Sequence, residues 1–273
     1  MTDGDPAGYI RDAVPPLDLR LHAAEPWEPL IAAALRAHEP PTRALEPLEY
    51  LDTGSKAVLF DCEDGPFYVK GAQSGRGVIA DQIVGKLGAA LGAPVATVRL
   101  VHVSPELVQR HHDLCFFRPG VSHGSMKIPN LSDGLDIRET HRSENRSRFA
   151  RLAVLYGLCV PADRQYMYEN VPASLVHSVD HGLFFPRRDQ WCACDLDESL
   201  EVALDEEFMA ACEFTEDEVQ AAMTALQGVG ESEIAAAVAA PHEGWGLTMT
   251  DRAELARFLG RRRDKMLVKY LTP

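Results

Sequence analysis

The 273-residue sequence predicts an α+β fold of two lobes, in which an antiparallel five-stranded N-terminal lobe with one helix precedes a mostly helical C-terminal lobe. Three observations predict it. Short runs that alternate between apolar and polar residues, divided by tight turns, occupy residues 48–70. Apolar residues then recur at helical spacing up to a Gly and Pro stop at residues 92–94. In the second half of the chain, segments of helix length dominate.

The first half divides into an extension and a strand-rich lobe. Residues 1–45 are predicted to be an N-terminal extension with a single helix from Trp27 to His38, because that segment stops at Glu39-Pro-Pro41. Residues 46–118 are predicted to be the N-lobe, with its helix from Ile79 to Leu91. The five predicted strands of this lobe are residues 48–52, 57–62, 66–70, 95–103 and 114–117.

Residues 119–273 are predicted to be the helical C-lobe. Helices are expected at residues 149–158, 215–226 and 251–271, and the second of these begins with a Thr-x-x-Glu capping box at Thr215 and Glu218. One strand, Leu175 to Val179, is predicted inside this lobe from its alternation of residue types.

Charge and hydropathy exclude several classes of function. The chain has 27 Lys plus Arg against 41 Asp plus Glu, a formal charge of −14, which opposes binding to a nucleic-acid backbone. No apolar run approaches the roughly 20 residues of a membrane span, and the N-terminus lacks the pattern of a signal peptide. The sequence therefore predicts a cytoplasmic protein with no nucleic-acid or membrane partner. Its six cysteines lack zinc-site spacing and are predicted to be buried reduced thiols.

Charged residues lie where the N-lobe elements meet. Lys70 closes the third predicted strand, and Asp81 lies near the start of the helix that follows, within reach of an ion pair. The turn Thr53-Gly54-Ser55-Lys56 can present backbone N–H groups and one cation to phosphate. Taken singly, each has a structural alternative: a lysine at a strand end, an acid favoured by the helix dipole, and an ordinary hairpin turn.

Two Asp-centred turns follow in the C-lobe. Asp163-Arg164 comes after a predicted helix, and Asp180-His-Gly182 comes at the end of the Leu175–Val179 strand. A chain reversal between them can bring the two acids to opposite sides of one cleft, with Asp180 on a metal ion and Asp163 beside a substrate hydroxyl. The alternative is that both acids serve the turns of a hairpin alone.

In combination, these pieces resemble the HipA-like branch of the kinase superfamily, which shares its active-site plan with protein and phosphatidylinositol kinases. The resemblance covers the chain from about Leu48 to its C-terminus. The matching pieces, in order, are Thr53-Gly-Ser55, Phe67-Tyr-Val-Lys70, Leu91-Gly-Ala-Pro-Val95, Pro119-Gly-Val-Ser-His-Gly-Ser125, Asp163-Arg164, Val179-Asp-His-Gly182 and the Trp245 to Arg263 segment.

The resemblance implies a kinase-like fold, ATP and Mg²⁺ as cofactors, and a hydroxyl-bearing protein or small molecule as substrate. It implies that Lys70 contacts the nucleotide phosphates with Asp81 as its partner, that Asp163 is the catalytic acid and that Asp180 is a metal ligand. The turn of Thr53, Gly54, Ser55 and Lys56 is expected beside the nucleotide. Position alone places a hinge near adenine at residues 115–118, which contain Phe116 and Phe117.

The sequence departs from the family pattern at one metal-binding position. These kinases carry an Asn five residues after the catalytic Asp, and Tyr168 stands there instead. A phenol is a poor Mg²⁺ ligand beside an amide or carboxyl oxygen. Three outcomes stay open: Asn170 or Gln165 takes over, one ion is enough, or catalysis is lost. Asn170 is the expected second metal residue.

These alternatives leave three functions. The leading hypothesis is an ATP- and Mg²⁺-dependent phosphotransferase. The second is a pseudokinase-like nucleotide-binding or scaffold protein without transfer activity, a hypothesis that Tyr168 in place of the metal-binding Asn favours. The third is an enzyme that transfers the AMP part of ATP in place of the terminal phosphoryl group.

Overall fold

The computed structural model describes residues 27–51, 54–134 and 136–271. Within these ranges the chain forms eight strands and nine α-helices. The strands are β1 Thr42–Tyr50, β2 Val58–Cys62, β3 Gly65–Lys70, β4 Val98–Val103, β5 Gly120–Met126, β6 Leu131–Gly134, β7 Gln165–Glu169 and β8 Val176–Val179. The helices are α1 Trp27–Arg36, α2 Gly77–Leu91, α3 Pro105–Arg110, α4 Ser143–Cys159, α5 Ala193–Glu198, α6 Glu206–Cys212, α7 Glu216–Gln227, α8 Glu231–Ala239 and α9 Met249–Leu271.

The five N-terminal strands form a closed barrel in the order β1-β2-β3-β5-β4. The expected plain antiparallel sheet is therefore wrong in one respect: β1 pairs with β4 in parallel, through Thr42 opposite Val101, and this pairing closes the sheet on itself. The other pairs of neighbouring strands are antiparallel. A closed barrel leaves no strand edge unpaired, which is a stable way to end a small sheet.

The predicted fifth strand at residues 114–117 is wrong. That stretch follows a short 3-10 helix, His112–Leu114, and its apolar side chains Leu114 and Phe117 fill the barrel core. The fifth strand is β5, which lies beyond residue 118 and pairs with both β3 and β4. Its sequence, Gly120–Met126, carries Gly, Ser and His in place of an apolar alternation. A side chain added at Gly124 would have its Cβ 2.4 Å from Val101.

Helix α2 connects the barrel to the helical lobe. Its buried residues Val78, Ile79 and Ile83 belong to the large hydrophobic core that α4 and the C-terminal helices share, whereas the barrel interior is a second, smaller core. The predicted helix from Ile79 to Leu91 is confirmed, and it ends at Gly92 in the left-handed conformation (φ 66°).

A second antiparallel sheet, β6-β7-β8, lies between the barrel and the C-terminal helices in the chain. Strand β7 follows α4 after a short segment, and β8 returns beside it with Gln165 opposite Val179. The predicted strand at 175–179 is confirmed as β8. The predicted capping box is also present, since the Thr215 hydroxyl accepts from Glu218 N and the Glu218 carboxylate accepts from Thr215 N.

Two further expectations concern the cysteines and membranes. Cys62, Cys159 and Cys212 are buried free thiols as expected, but Cys115 is exposed and Cys192 is disulfide-bonded, so the expectation was wrong for these two. Among the helices of the described ranges, none has the length and apolar character to cross a membrane.

Candidate active site

Lys70 is held between two carboxylates from distant parts of the chain. Its Nζ lies 2.9 Å from Oδ2 of Asp81 in α2 and 2.6 Å from Oδ1 of Asp180, which directly follows β8. The second oxygen of Asp81 accepts a hydrogen bond of 2.7 Å from the backbone N–H of His181. Asp81 therefore ties the end of β3, helix α2 and the turn after β8 into one cluster.

The charges of this cluster are stabilised by one another. Burial opposes the charge on Lys70, but attraction to Asp81 and Asp180 outweighs it and raises the pKa of Lys70. Burial likewise opposes the Asp81 carboxylate, and Lys70 outweighs that effect and lowers the pKa of Asp81. One ammonium between two carboxylates leaves an excess of negative charge at Asp180, whose side chain is 36% exposed. This corner of the site is therefore suited to a cation.

The backbone at Asp180 adopts an uncommon conformation. Its φ is 54°, in the left-handed region that non-glycine residues rarely occupy. Such outliers persist where the surrounding contacts hold them, and they cluster at functional sites. Two positions on, Gly182 packs against Gly77 at the start of α2, and a Cβ at Gly182 would lie 3.2 Å from Asp81 Oδ2. An added side chain here would press on the Asp81 carboxylate of the ion cluster, which would have to shift.

Two buried histidines flank the ion cluster, and burial lowers the pKa of each to about 4. The His181 ring packs edge-on against Phe184, and its Nε2 lies 2.8 Å from the Ser178 hydroxyl, which in turn lies 2.5 Å from Tyr156 OH. His123 in β5 lies opposite Lys70 in the sheet and contacts Gln82 of α2 at 2.7 Å. Both rings are neutral at pH 7 and act as polar packing around the charged groups.

Asp163 lies at the same end of the second sheet as Asp180. Its Oδ1 accepts from Arg164 N at 2.9 Å, and its Oδ2 accepts from Gln165 Nε2 at 3.2 Å. Gln165 begins β7 opposite Val179, the residue before Asp180. Asp163 thus precedes β7 and Asp180 follows β8 at the same end of these two neighbouring strands.

The segment around Asp163 is fixed by two further contacts. The guanidinium of Arg164 bonds Asp205 Oδ2 at 2.6 Å, and Asp205 also caps α6 by accepting from Phe208 N. Ala162 N donates to Leu183 O, so the residues before Asp163 are joined to those after Gly182. No sequence motif pointed to Asp205, because its role depends on contacts with Arg164 and the start of α6.

The predicted nucleotide-binding residues lie at one end of the barrel. Ser55 O accepts from Ser74 Oγ at 2.7 Å, so the turn containing Gly54 and Ser55 contacts the loop that follows Lys70. Lys56 Nζ lies 5.6 Å from the centre of the Phe116 ring. Thr53 lies outside the described residues.

Phe117 is the exception among these residues. It is buried in the barrel core, edge-on to Phe60, whereas Phe116 is only partly buried. The expected hinge at residues 115–118 is also wrong, because the chain passes from the barrel to the second sheet at residues 127–130, after β5. The apolar pattern of residues 114–117 predicts the last strand of the N-lobe there, and the hinge was therefore expected too early in the chain.

Asn170, the expected second metal residue, and Tyr168, which stands where the family pattern has Asn, both lie towards the end of β7 away from Asp180. Asn170 is exposed at the far end of β7, where its N–H donates to Asn130 O, five residues and about 16 Å of strand from Gln165. Tyr168 is fully buried, and its hydroxyl accepts from Arg138 N at 2.9 Å and donates to Asp136 O at 3.1 Å. The expectation that Asn170 binds a metal ion together with Asp180 therefore does not agree with its position in the structure.

The residues at the end of the second sheet fit a magnesium ion held together with a nucleotide. Asp180 and Gln165 both offer hard oxygen donors, which Mg²⁺ prefers, and Mg²⁺ is usually held by one or two protein ligands plus phosphate oxygens. In the parts of the chain that the structure describes, no cluster of three His, Cys, Asp or Glu side chains forms a metal cage. The donor set thus matches an ion that a nucleotide shares.

Comparison with known proteins agrees with the architecture. Residues 51–157 match the family model described as HipA-like kinase, so the resemblance drawn from the sequence is confirmed over this part of the chain. The fold is similar to the crystal structure of the Golgi casein kinase, with a TM-score of 0.50 and 12% identity over 91% of this chain and 77% of that chain. A structure of the Golgi casein kinase with Mn/ADP bound gives a TM-score of 0.49 at 13% identity, over 87% of this chain and 75% of that chain. None of the curated proteins compared with the chain matches it.

Proposed function

We propose that the chain is an ATP- and Mg²⁺-dependent phosphotransferase of the HipA-like type, which transfers the terminal phosphoryl group to a hydroxyl of a protein or a small molecule. One observation carries the proposal: Lys70 bonds both Asp81 and Asp180, and Asp163 lies at the neighbouring strand end. The family match over residues 51–157 and the kinase-like fold support it.

Lys70 and Asp180 have complementary roles in this proposal. Lys70 is charged and held in place by Asp81, so its ammonium is ready to bind the nucleotide phosphates. Asp180, whose side chain is 36% exposed, would hold the metal ion that accompanies the nucleotide. When bound, the ion neutralises charge on the phosphate oxygens and aligns them for transfer.

Asp163 acts on the acceptor hydroxyl. Arg164 N and Gln165 Nε2 hold its carboxylate in a fixed orientation, and Arg164 is itself anchored by Asp205. The hydroxyl oxygen forms the new bond to the terminal phosphorus as the bond to the ADP oxygen breaks, and Asp163 accepts the hydroxyl proton. Positioning and charge stabilisation supply most of the rate enhancement in such a reaction.

The test is transfer from ATP labelled at the terminal phosphate, with Mg²⁺, to the chain itself and to libraries of peptides and hydroxyl-bearing metabolites. We expect the wild type to transfer label, and Asp163→Ala to lose most of the transfer while still binding ATP. Equal transfer by the two proteins would contradict the proposal. Mass spectrometry of the modified target distinguishes a phosphoryl group from AMP.

A second candidate function is nucleotide binding without transfer. The burial of Tyr168 favours it, because the side chain at this position cannot reach a metal ion in the cleft. A protein of this kind would bind ATP equally well with and without Mg²⁺. It would also transfer no label under conditions in which the fold and ATP binding are intact.

A further inference from the structure

The segment between Asp163 and β7 is short, and its length determines which side chain of β7 lies near Asp163. Strand β7 begins at Gln165, two residues after Asp163, so the fifth residue after Asp163 is already the fourth residue of the strand. Side chains along a strand alternate between its two faces. In β7, Tyr166 and Tyr168 are buried, and Gln165, Met167 and Glu169 are partly exposed on the opposite face.

Tyr168 cannot serve as a metal ligand in this arrangement. Its hydroxyl accepts a hydrogen bond from Arg138 N and donates one to Asp136 O. The Arg138 guanidinium stacks 4.5 Å from the centre of its ring. Burial also raises the pKa of Tyr168, which keeps the phenol protonated. The tyrosine is therefore a packing residue that joins β7 to the preceding loop.

Gln165 has the position and the chemistry that Tyr168 lacks. It lies opposite Val179, one residue before Asp180, and its amide nitrogen donates to Asp163 Oδ2 at 3.2 Å. Its carbonyl oxygen accepts no hydrogen bond from any group in the described part of the chain. Because the amide nitrogen of Gln165 bonds the Asp163 carboxylate, the amide oxygen is left as a neutral, hard donor for a divalent ion beside Asp180.

We infer that Gln165 is the second protein ligand of the nucleotide-associated metal ion, and that its oxygen replaces the one that Tyr168 cannot provide. The inference rests on the proposed function, because it concerns the metal of the same site. It assigns Gln165 two tasks through the two ends of one amide: orienting Asp163 and, with Asp180, binding the ion. Asn170 is excluded from this role by its place at the far end of β7.

The experiment measures binding of Mn²⁺, as a paramagnetic probe for the divalent ion, by electron paramagnetic resonance with and without ADP. The variants are Gln165→Ala, Asp180→Asn and, as a control on the same strand face, Met167→Ala. We expect ADP to strengthen Mn²⁺ binding to the wild type and to Met167→Ala. We expect Gln165→Ala to weaken Mn²⁺ binding in the presence of ADP by at least about tenfold, with Mn²⁺-free ADP binding and the melting temperature unchanged.

A double variant tests the assignment from the other side. Tyr168→Asn places an amide at the position where the related kinases carry one, and in the Gln165→Ala background we expect it to restore no Mn²⁺ affinity, since the side chain faces the interior. Restored affinity would overturn the inference. Wild-type affinity in Gln165→Ala, together with a loss in Asp180→Asn, would overturn it and leave the proposed function standing. If ADP fails to strengthen Mn²⁺ binding to the wild type, the inference and the proposed function both fail.

Discussion

Lys70 is a partly buried cation, with 12% of its side chain exposed, and its two partners are separated by almost a hundred residues of sequence. Asp81 and Asp180 both bond its ammonium, and Asp81 also accepts from the backbone of the residue after Asp180. A buried charge that loses a partner keeps its cost of burial and loses the compensation. The stability of this corner of the molecule and the phosphate contact that we propose for Lys70 would therefore depend on the same few atoms.

Asp81→Asn tests this dependence. The variant keeps an oxygen for His181 N but directs an amide N–H at the Lys70 ammonium, so we expect the free energy of unfolding to fall by about 1–3 kcal/mol and ATP affinity to fall with it. Urea denaturation and calorimetry measure the two effects. Asp61→Asn, at an exposed position of β2, is the control and is expected to change stability by less than about 0.5 kcal/mol. Equal behaviour of the two variants would count against a central role for Asp81.

His181 predicts a dependence of stability on pH. Its pKa is lowered to about 4 by burial, below the ordinary value of 6.5, so the unfolded chain binds more protons than the folded one between these values. Its contribution is complete above pH 6.5 and is lost as the pH falls towards 4, and His123 acts in the same direction. We expect His181→Phe to flatten the fall in unfolding free energy between pH 7 and 5. If urea denaturation gives the same change of unfolding free energy with pH for the variant and the wild type, the His181 ring is not buried in its neutral form.

At the scale of elements, the contact between the β7 strand and the loop before α4 explains the residue at position 168. Tyr168→Phe removes a hydroxyl that bonds Arg138 N and Asp136 O in a buried setting. We expect it to lower the free energy of unfolding by about 1–3 kcal/mol and to leave Mg²⁺-dependent ATP binding unchanged. Loss of metal dependence in this variant, with the fold intact, would place the tyrosine in the site.

The elements also differ in how well the sequence predicts them. Strands β2 and β3 and helix α2 carry clear alternation or helical spacing between Gly and Pro signals, and they form where expected. Strand β5 lacks an apolar alternation, since Gly124 has no room for a side chain and His123 bonds Gln82 of α2. The apolar side chains of residues 114–117, where a strand was predicted, pack in or against the barrel core. In the site, Lys70, Asp81, Asp163 and Asp180 could be named from their places beside turns. The contributions of Gln82 and Asp205 depend on contacts across the fold, which no local pattern encodes. Gln165 was one of two alternatives in the sequence, and its position opposite Val179 is what distinguishes it from Asn170.

At the scale of the whole molecule, the structure has two hydrophobic cores, with the ion cluster near their junction. The barrel has its own interior, and α2 adds its apolar face to the core of the helical lobe. Helix α1 belongs to that same core: Trp27 packs over Gly260 of α9, where an added Cβ would lie 2.9 Å from the indole ring. The N-terminal helix therefore stabilises the hydrophobic core of the helical lobe.

Trp27→Ala separates stability from binding. The substitution leaves a cavity against α9, and we expect a loss of about 3–5 kcal/mol in the free energy of unfolding with no change in ATP affinity below the midpoint of unfolding. Leu48→Ala, at a side chain that is 56% exposed on β1, is the control with little expected effect. A parallel loss of ATP affinity in Trp27→Ala would show that α1 is coupled to the site.

The most direct test of the account is titration calorimetry of ATP, with and without Mg²⁺, on the wild type and on Asp180→Asn. We expect Mg²⁺ to strengthen ATP binding to the wild type, and Asp180→Asn to lose this gain while it keeps its metal-free affinity for ATP. ATP binding that is absent, or that is equal with and without Mg²⁺ in the wild type, would contradict the claim that Asp180 and its neighbours form a metal-dependent phosphotransfer site.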